Sequence, residues 1–334
     1  GGTYDIYSAG WNGSYWLIGS SSGKAATLNS AGNTFTDKTA TLNRSTFTAF
    51  GIYWNGSYWI LGGFDGGVTR VYTSTDTSAF YQQTNHSNYT ADPVWAISGD
   101  MGGDSGRNFL AGRNGKIIER TGAVNSGVTN TDLSGEIIDF GKQNIRCAEH
   151  NGSYWLIGGD AGRLNKYDTS SNEYTDLSVS LNWSGYNVQA IGWNGSFWLI
   201  GGTSGKLAKY DGVSFTDINV SSIFGTQAIN TISWGGNTGS EHWIIGGSDK
   251  RLATSSDAVT FTDRSSGLLS WDNGSGVNSD VLCVDWAGTP HDSWFIGGSN
   301  GSINKYNGAS TFTDYKSLLF NALGGYYRVN AVKY

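Results

Sequence analysis

The sequence predicts an all-β chain folded as a seven-bladed β-propeller of four-stranded antiparallel blades. Three observations predict it. The first is a phrase written seven times. It is clearest at Trp11–Gly19 (WNGSYWLIG), Trp54–Gly63 (WNGSYWILGG), Asn151–Gly159 (NGSYWLIGG) and Trp193–Gly202 (WNGSFWLIGG), and weaker at Asn108–Gly112, His242–Gly247 and Ser293–Gly298. The second is its period. Trp16 to Trp59 and Trp155 to Trp198 are 43 positions apart, Trp198 to Trp243 is 45 and Trp243 to Trp294 is 51, the size of a propeller blade. The third is a composition of 50 Gly, 2 Pro and 14% aromatics in 334 residues. That is rich in turns, with enough aromatic side chain to build a core.

The same composition excludes several classes of function. Charged residues make up 14% of the chain, against roughly 25% in an average soluble domain. The net charge of −6 argues against nucleic-acid partners, which call for clustered Lys and Arg. No apolar run approaches the ~18 residues of a membrane span, so no membrane insertion is expected. The opening Gly1-Gly2-Thr3 reads as a trimmed or mature start.

Taken in order, the blades are expected at about 1–44, 45–90, 91–140, 141–184, 185–225, 226–277 and 278–328, with a surplus strand of the inner type at 329–334. The fifth copy shows the logic. Val188–Trp193 is a short apolar inner strand, and Asn194-Gly195 is the dipeptide favoured in two-residue hairpins with φ > 0 at both positions. Phe197–Ile200, aromatic and β-branched, is the second strand. Gly201–Gly205 is a Gly-rich turn, Lys206–Tyr210 alternates as a half-buried third strand does, and Asp211-Gly212 turns into a short outer strand at Phe215–Asp217. The third copy is degenerate, with Phe109 at the Trp position and Arg113 at a Gly position. One such sheet cannot bury both faces, so the blades stack around an axis and the closed ring protects their edges.

At the third turn, Ser255–Phe261 (SSDAVTF), Ser74–Phe80 (STDTSAF) and the Tyr-Asp-Gly at Tyr210–Gly212 resemble the Asp-box repeats of sialidase-type and related extracellular β-propellers. The loop is one residue shorter between Asp and the aromatic than the usual box. The resemblance implies a folding element, and no catalytic residue carries over from it.

Aligned on the inner strand, one column of small residues reads Ser8, Gly51, Ala96, Cys147, Ala190, Thr231, Cys283 and Ala331. That is eight members for seven blades. Either one copy is displaced, or the chain is cut from a longer protein, or the surplus strand pairs with a neighbouring molecule by strand addition. Cys147 and Cys283 lie in non-adjacent blades, too far apart for the ~7 Å reach of a disulfide, and read as small buried hydrophobes.

The candidate sites are few. A sialidase-like glycoside hydrolase needs converging arginines and a Tyr–Glu pair, and the ten Arg follow no repeat position. His150 and His242 replace repeat aromatics, and no metal-ligand spacing or nucleophile elbow appears, so no enzyme is expected. Calcium is the weak cofactor candidate, at Asp100 and Asp104 in one Gly-rich loop and around Asp272 to Asp280 in another, neither matching an EF-hand pattern. Eleven Asn-x-Ser/Thr sequons occur. Asn12, Asn55, Asn151 and Asn194 are assigned to hairpin turns and Asn300 to another repeat turn, leaving Asn43, Asn85, Asn88, Asn182, Asn219 and Asn273 as glycosylation candidates. Eleven of fourteen Trp fill two repeat columns, and Trp95, Trp183 and Trp271 fall outside them. Trp183 and Trp271, with Tyr186 and Asp272, are the ligand-binding candidates, on the expectation that they stand exposed in the long connections between blades. Phe224, Tyr326 and Tyr327 share that class of loop.

The expectation is thus a non-enzymatic, extracellular or cell-surface module for adhesion or assembly, such as a surface-layer or filament subunit. Its partners would be other protein subunits or surface glycans, with self-association through the terminal strand. A lectin-like carbohydrate binder is the alternative, and a glycoside hydrolase the second.

Overall fold

The computed structural model describes residues 4–20, 22–30, 33–83, 94–99, 107–122, 129–135, 140–271, 278–288, 292–323 and 327–329. The fold is all-β, with seven four-stranded antiparallel sheets arranged as a propeller. The inner strands are Tyr4–Trp11, Phe47–Trp54, Val94–Gly99, Ile145–His150, Val188–Trp193, Ile229–Gly235 and Val281–Ala287. Each blade takes its four strands from one continuous stretch of chain, inner strand first. Short helices at Thr39–Leu42, Ser178–Leu181, Ser221–Phe224 and Lys316–Leu323 follow outer strands and carry the chain back toward the axis.

The core confirms that the ring closes. Seven apolar clusters form, one at each joint between neighbouring blades. The cluster between blades 7 and 1 joins Ala9, Trp16 and Ile18 to Cys283, Ala287 and Phe295, with the Trp16 and Phe295 rings 5.0 Å apart. The repeat's second strand buries its Trp completely, as at Trp59, Trp155, Trp198, Trp243 and Trp294. Cys283 is buried and Cys147 half-buried, and neither is in a disulfide.

The two hairpin types differ from expectation in an instructive way. In the Asn-Gly turns only Gly has positive φ, +90° at Gly195 and +89° at Gly13. The turn spans four residues, because the last paired residues are Trp193 and Trp198. Asn is selected for its side chain: Asn194 Oδ1 accepts the N–H groups of Ser196 at 3.0 Å and Phe197 at 2.9 Å, an Asx turn. Asn12, Asn55 and Asn151 do the same. The paired left-handed residues of a type I′ turn sit instead between the second and third strands, as at Ser204 (φ 58°) and Gly205 (φ 67°).

Trp183 and Trp271 require a correction. Both are 1% exposed and belong to the core. Each lies on the second glycine of the Gly-Gly pair in the following blade. A Cβ on Gly202 would meet the Trp183 ring at 2.8 Å, and one on Gly298 would meet the Trp271 ring at 2.4 Å. Phe47, Phe140 and Phe224 stand on Gly63, Gly159 and Gly247 in the same manner. The two tryptophans are therefore members of a third aromatic column.

The surplus strand is the second departure. It is expected over 329–334; the strand described is Tyr327–Val329, which pairs in parallel with Tyr4–Ile6 of the same chain. It makes blade 1 five-stranded, on the inner side of Tyr4–Trp11. Ala331 and the rest of 330–334 lie outside the described residues.

Candidate functional site

The sequence departs from its own repeat most informatively at the rim of the central channel. All seven inner strands carry a β-bulge at one position, just before the column of small residues. The residue skipped in the pairing is Tyr7, Phe50, Trp95, Arg146, Gln189, Asn230 or Leu282. A bulge re-aims one side chain and recurs at rims and functional sites. All seven lie at the end of the inner strand nearest the turns between second and third strands. Blade 2 thus brings an aromatic to the rim position, blades 4 to 6 bring polar groups and blade 7 brings Leu; the same backbone position is occupied by Tyr7 in blade 1 and Trp95 in blade 3.

The polar half is organised by contacts running around the ring. Arg146 forms an ion pair with Asp160, and its guanidinium also donates to Gln189 Oε1 of the next blade at 3.3 Å. Asp160 accepts a second bond from Asn144 Nδ2 at 2.7 Å. Asn230 Nδ2 donates to the Val281 carbonyl of blade 7 at 3.1 Å. A set of latches lies beside them. Asn144, Asn187 and Asp280 accept the N–H of a left-handed turn residue in the preceding blade, respectively Asn114 at 3.2 Å, Ala161 at 3.0 Å and Asp249 at 3.0 Å. The Asp280 carboxylate is thereby committed to a turn. Tyr186 stays exposed on this face, with the Lys206 ammonium 5.0 Å from its ring centroid.

The inner edge of each blade faces the channel. Among the described residues, six inner strands carry no further strand on that edge and the seventh, Tyr4–Trp11, carries Tyr327–Val329. Six joints set successive inner strands against one another. At the joint of blades 7 and 1 the strand against Tyr4–Trp11 is Tyr327–Val329, which also touches Ser293–Gly298 and the Ser299–Gly301 turn.

The degenerate third blade is compensated on its outer part. The strand register corrects the expected alignment: Asn108, level with Gly99 and Arg120, holds the repeat's Trp position, Phe109 that of the following Leu, and Gly112 that of the second glycine, so Arg113 opens the turn. Where Asn108 replaces the indole, the buried Arg120 reaches toward the Tyr58 hydroxyl at 3.5 Å and Gln83 Oε1 at 3.4 Å. Its guanidinium lies 5.7 Å from the Tyr58 ring centroid. Burial lowers its pKa from the ordinary arginine value.

The remaining candidates separate cleanly. Asn43, Asn182 and Asn219 are exposed. Asn43 and Asn182 end short helices in the left-handed conformation. Asp100, Asp104, Asn85, Asn88, Asp272, Asn273 and Tyr326 lie outside the described residues. Among the described residues no three His, Cys, Asp or Glu side chains converge as a metal site. The Asp residues of the third turn serve their own loops. Asp257 accepts the N–H groups of Thr260 and Val259 at 2.8 Å each, and those bonds hold its carboxyl below the usual carboxylate range. Asp211 is lowered by the N–H groups of Ser214 and Val213 in the same way. Two open grooves, of about 400 and 440 Å³, lie beside Leu42 and Phe80 and beside Arg163 and Asn182. No helix among the described residues is long and apolar enough to cross a membrane.

The bulged column is marked in the sequence by a single position, one residue upstream of the small-residue column, that varies from aromatic to charged inside an otherwise fixed phrase.

No family model and no curated protein matches this sequence. Solved structures of similar fold do. The YCF48 protein from Cyanidioschyzon merolae aligns at a TM-score of 0.66 and 11% identity over 91% of this chain and 95% of that one. The Dos1 propeller aligns at 0.62 and 12%, over 94% of this chain and 84% of that one. A structure of YCF48 bound to D1 peptide aligns at 0.55 and 10%, over 77% and 78%. At these identities the likeness establishes the β-propeller fold.

Proposed function

We propose that this propeller is a non-enzymatic binding and assembly module that holds an extended segment of a protein partner at the rim of its channel. One observation carries the reading. The inner edge of Tyr4–Trp11 accepts Tyr327–Val329 as an added parallel strand, the main-chain mode of peptide recognition in which backbone pairing supplies affinity. The bulged residues Arg146, Gln189 and Asn230 supply polar side chains that distinguish one segment from another. The YCF48–D1 peptide structure is consistent with such a use of a ring of this fold. The exposed carboxylates of the third turns are spent on their own backbone, which supports a role other than catalysis, and we read those turns as Asp-box-like folding elements. We place the protein outside the cell or at its surface, supported by its low charge and by the exposed sequons Asn43, Asn182 and Asn219. The glycan-binding alternative loses its stacking platform with Trp183 and Trp271 buried.

The test is complementation in trans. A chain shortened to residue 323 retains all seven contiguous blades. Titrated with a fluorescent peptide of sequence 324–334, it should bind saturably, and a scrambled peptide should not. A folded, shortened chain that ignores the peptide would remove the reading.

A further inference from the structure

We propose that the C-terminal strand exchanges between copies, Tyr327–Val329 of one chain pairing with Tyr4–Ile6 of a second. This rests on the assembly reading above and names its partner as another molecule of this protein. Four observations carry it.

The docked strand is a sequence copy of the strand it docks on. One constant offset sets Val329, Ala331 and Tyr334 on Ile6, Ser8 and Trp11 in the repeat. The observed parallel register obeys that same offset: Tyr4 with Tyr327, Asp5 with Arg328, Ile6 with Val329. The pairing sets an acidic position level with a basic one and places the copy alongside the original.

The copy is also poorly suited to replace the original. Lys333 falls at the position of Gly10, where a Cβ would lie 2.9 Å from the Trp59 ring and 3.2 Å from Ile52. A lysine there would have to displace a fully buried tryptophan of blade 2. The segment is therefore suited to the free edge and unsuited to the interior of the blade.

Blades 7 and 1 also touch through their own side chains, including Trp16, Ala9, Phe295 and Cys283, so the joint does not rest on the strand alone. Finally, Gly324-Gly325 stands one residue before Tyr327 in the sequence, a pair of the residue type with the least restricted backbone.

A strand that is additional, tethered by two glycines and matched to an edge that every copy presents can dock in trans with the same contacts it makes in cis. Such exchange is a low-cost route to a dimer. The tether favours the cis arrangement when protein is dilute, and mass action favours the trans arrangement as concentration approaches the effective concentration that a short tether sets, about millimolar.

Full-length chains test this with Cys147 and Cys283 both changed to Ala, the residue at that column in blades 3 and 5. A chain carrying Asp5→Cys and a differently tagged chain carrying Arg328→Cys are mixed at about millimolar concentration in a glutathione redox buffer. The double variant Asp5→Cys/Arg328→Cys is oxidised alone at low concentration. The expected result is an intrachain disulfide in the dilute double variant. In the mixture, a disulfide-linked heterodimer should form at least tenfold above that formed when Val213→Cys, exposed on the opposite face, replaces Arg328→Cys. No heterodimer above that control, with the intrachain bond intact, overturns the exchange. Absence of the intrachain bond overturns it as well, by removing the docked strand. If the peptide of residues 324–334 binds the shortened chain while no heterodimer forms, the exchange fails and the proposed function stands.

Discussion

At the joint between blades 4 and 5, Tyr154 faces Trp198 and accepts its indole N–H at 3.0 Å. At the joint between blades 7 and 1, Ser293 takes the tyrosine's place in the repeat, and the buried Trp16 indole nitrogen has no acceptor among the described residues. The first joint is repeated at blades 1 and 2, where Trp59 donates to Tyr15 at 3.3 Å. It is weakened at blades 5 and 6 and at 6 and 7, where Phe197 and His242 replace the phenol and the Trp243 and Trp294 nitrogens are likewise unpaired. A buried donor without a partner costs about 1–3 kcal/mol relative to a satisfied one. The comparison teaches where this ring spends its regularity. Identical words make identical joints, and the joint that closes the circle is built with fewer of them and with one extra strand at its inner edge.

The comparison can be broken at several points. The largest effect is expected from Trp183→Ala, which empties a core position standing on Gly202. It should cost about 3–5 kcal/mol in chemical denaturation, and an unchanged midpoint would show that the indole is no part of the core. Gly202→Ala attacks the same column from below. Its Cβ would sit 2.4 Å from the Asn187 carbonyl oxygen, and about 1–3 kcal/mol of destabilisation is expected.

His242→Tyr sharpens the comparison by rebuilding a regular joint. The phenol should take the Trp294 N–H and add about 0.5–1.5 kcal/mol. Equal or lower stability would mean that the Tyr–Trp bond is not what distinguishes the joints. The native histidine predicts a smaller effect with a definite sign. Burial lowers the pKa of His242, so the unfolded chain binds its proton more readily than the folded one. That contribution is intact above the unfolded value of about 6.5 and is lost as pH falls through it toward the depressed folded value. Stability should decline from pH 7 to pH 5, and less steeply in His242→Phe. Identical slopes would exclude His242 as the cause.

Much of this architecture was legible in the sequence. The period, the paired tryptophans and the Gly-rich turns gave the seven blades because each reports a local requirement that recurs. The rest is hidden where one residue type serves two purposes. Asn in Asn-Gly suggests a left-handed residue, but its side chain caps the turn. Trp183 and Trp271 suggest exposure as tryptophans outside two columns, while their column mixes Trp with Phe140 and Phe224 and is visible only by residue class. Arg120 follows from the same kind of substitution, a guanidinium reaching a phenol that no indole serves. The rim residues were hidden because a bulge breaks the alternation by which inner strands are read. The docked strand lay beyond sequence reasoning for a different reason: the eighth copy was countable, but the edge it would take depends on the crowding of Gly10 by Trp59.

The central claim is that the inner edge of Tyr4–Trp11 is a docking edge and that the ring stands without its occupant. Hydrogen exchange of the amides of Tyr4–Ile6, compared between the intact chain and one ending at residue 323, tests it most directly. The account expects faster exchange at those amides alone in the shortened chain, with the other six inner strands as protected as before. Equal protection of Tyr4–Ile6 in both chains, or loss of protection throughout the ring, would contradict it.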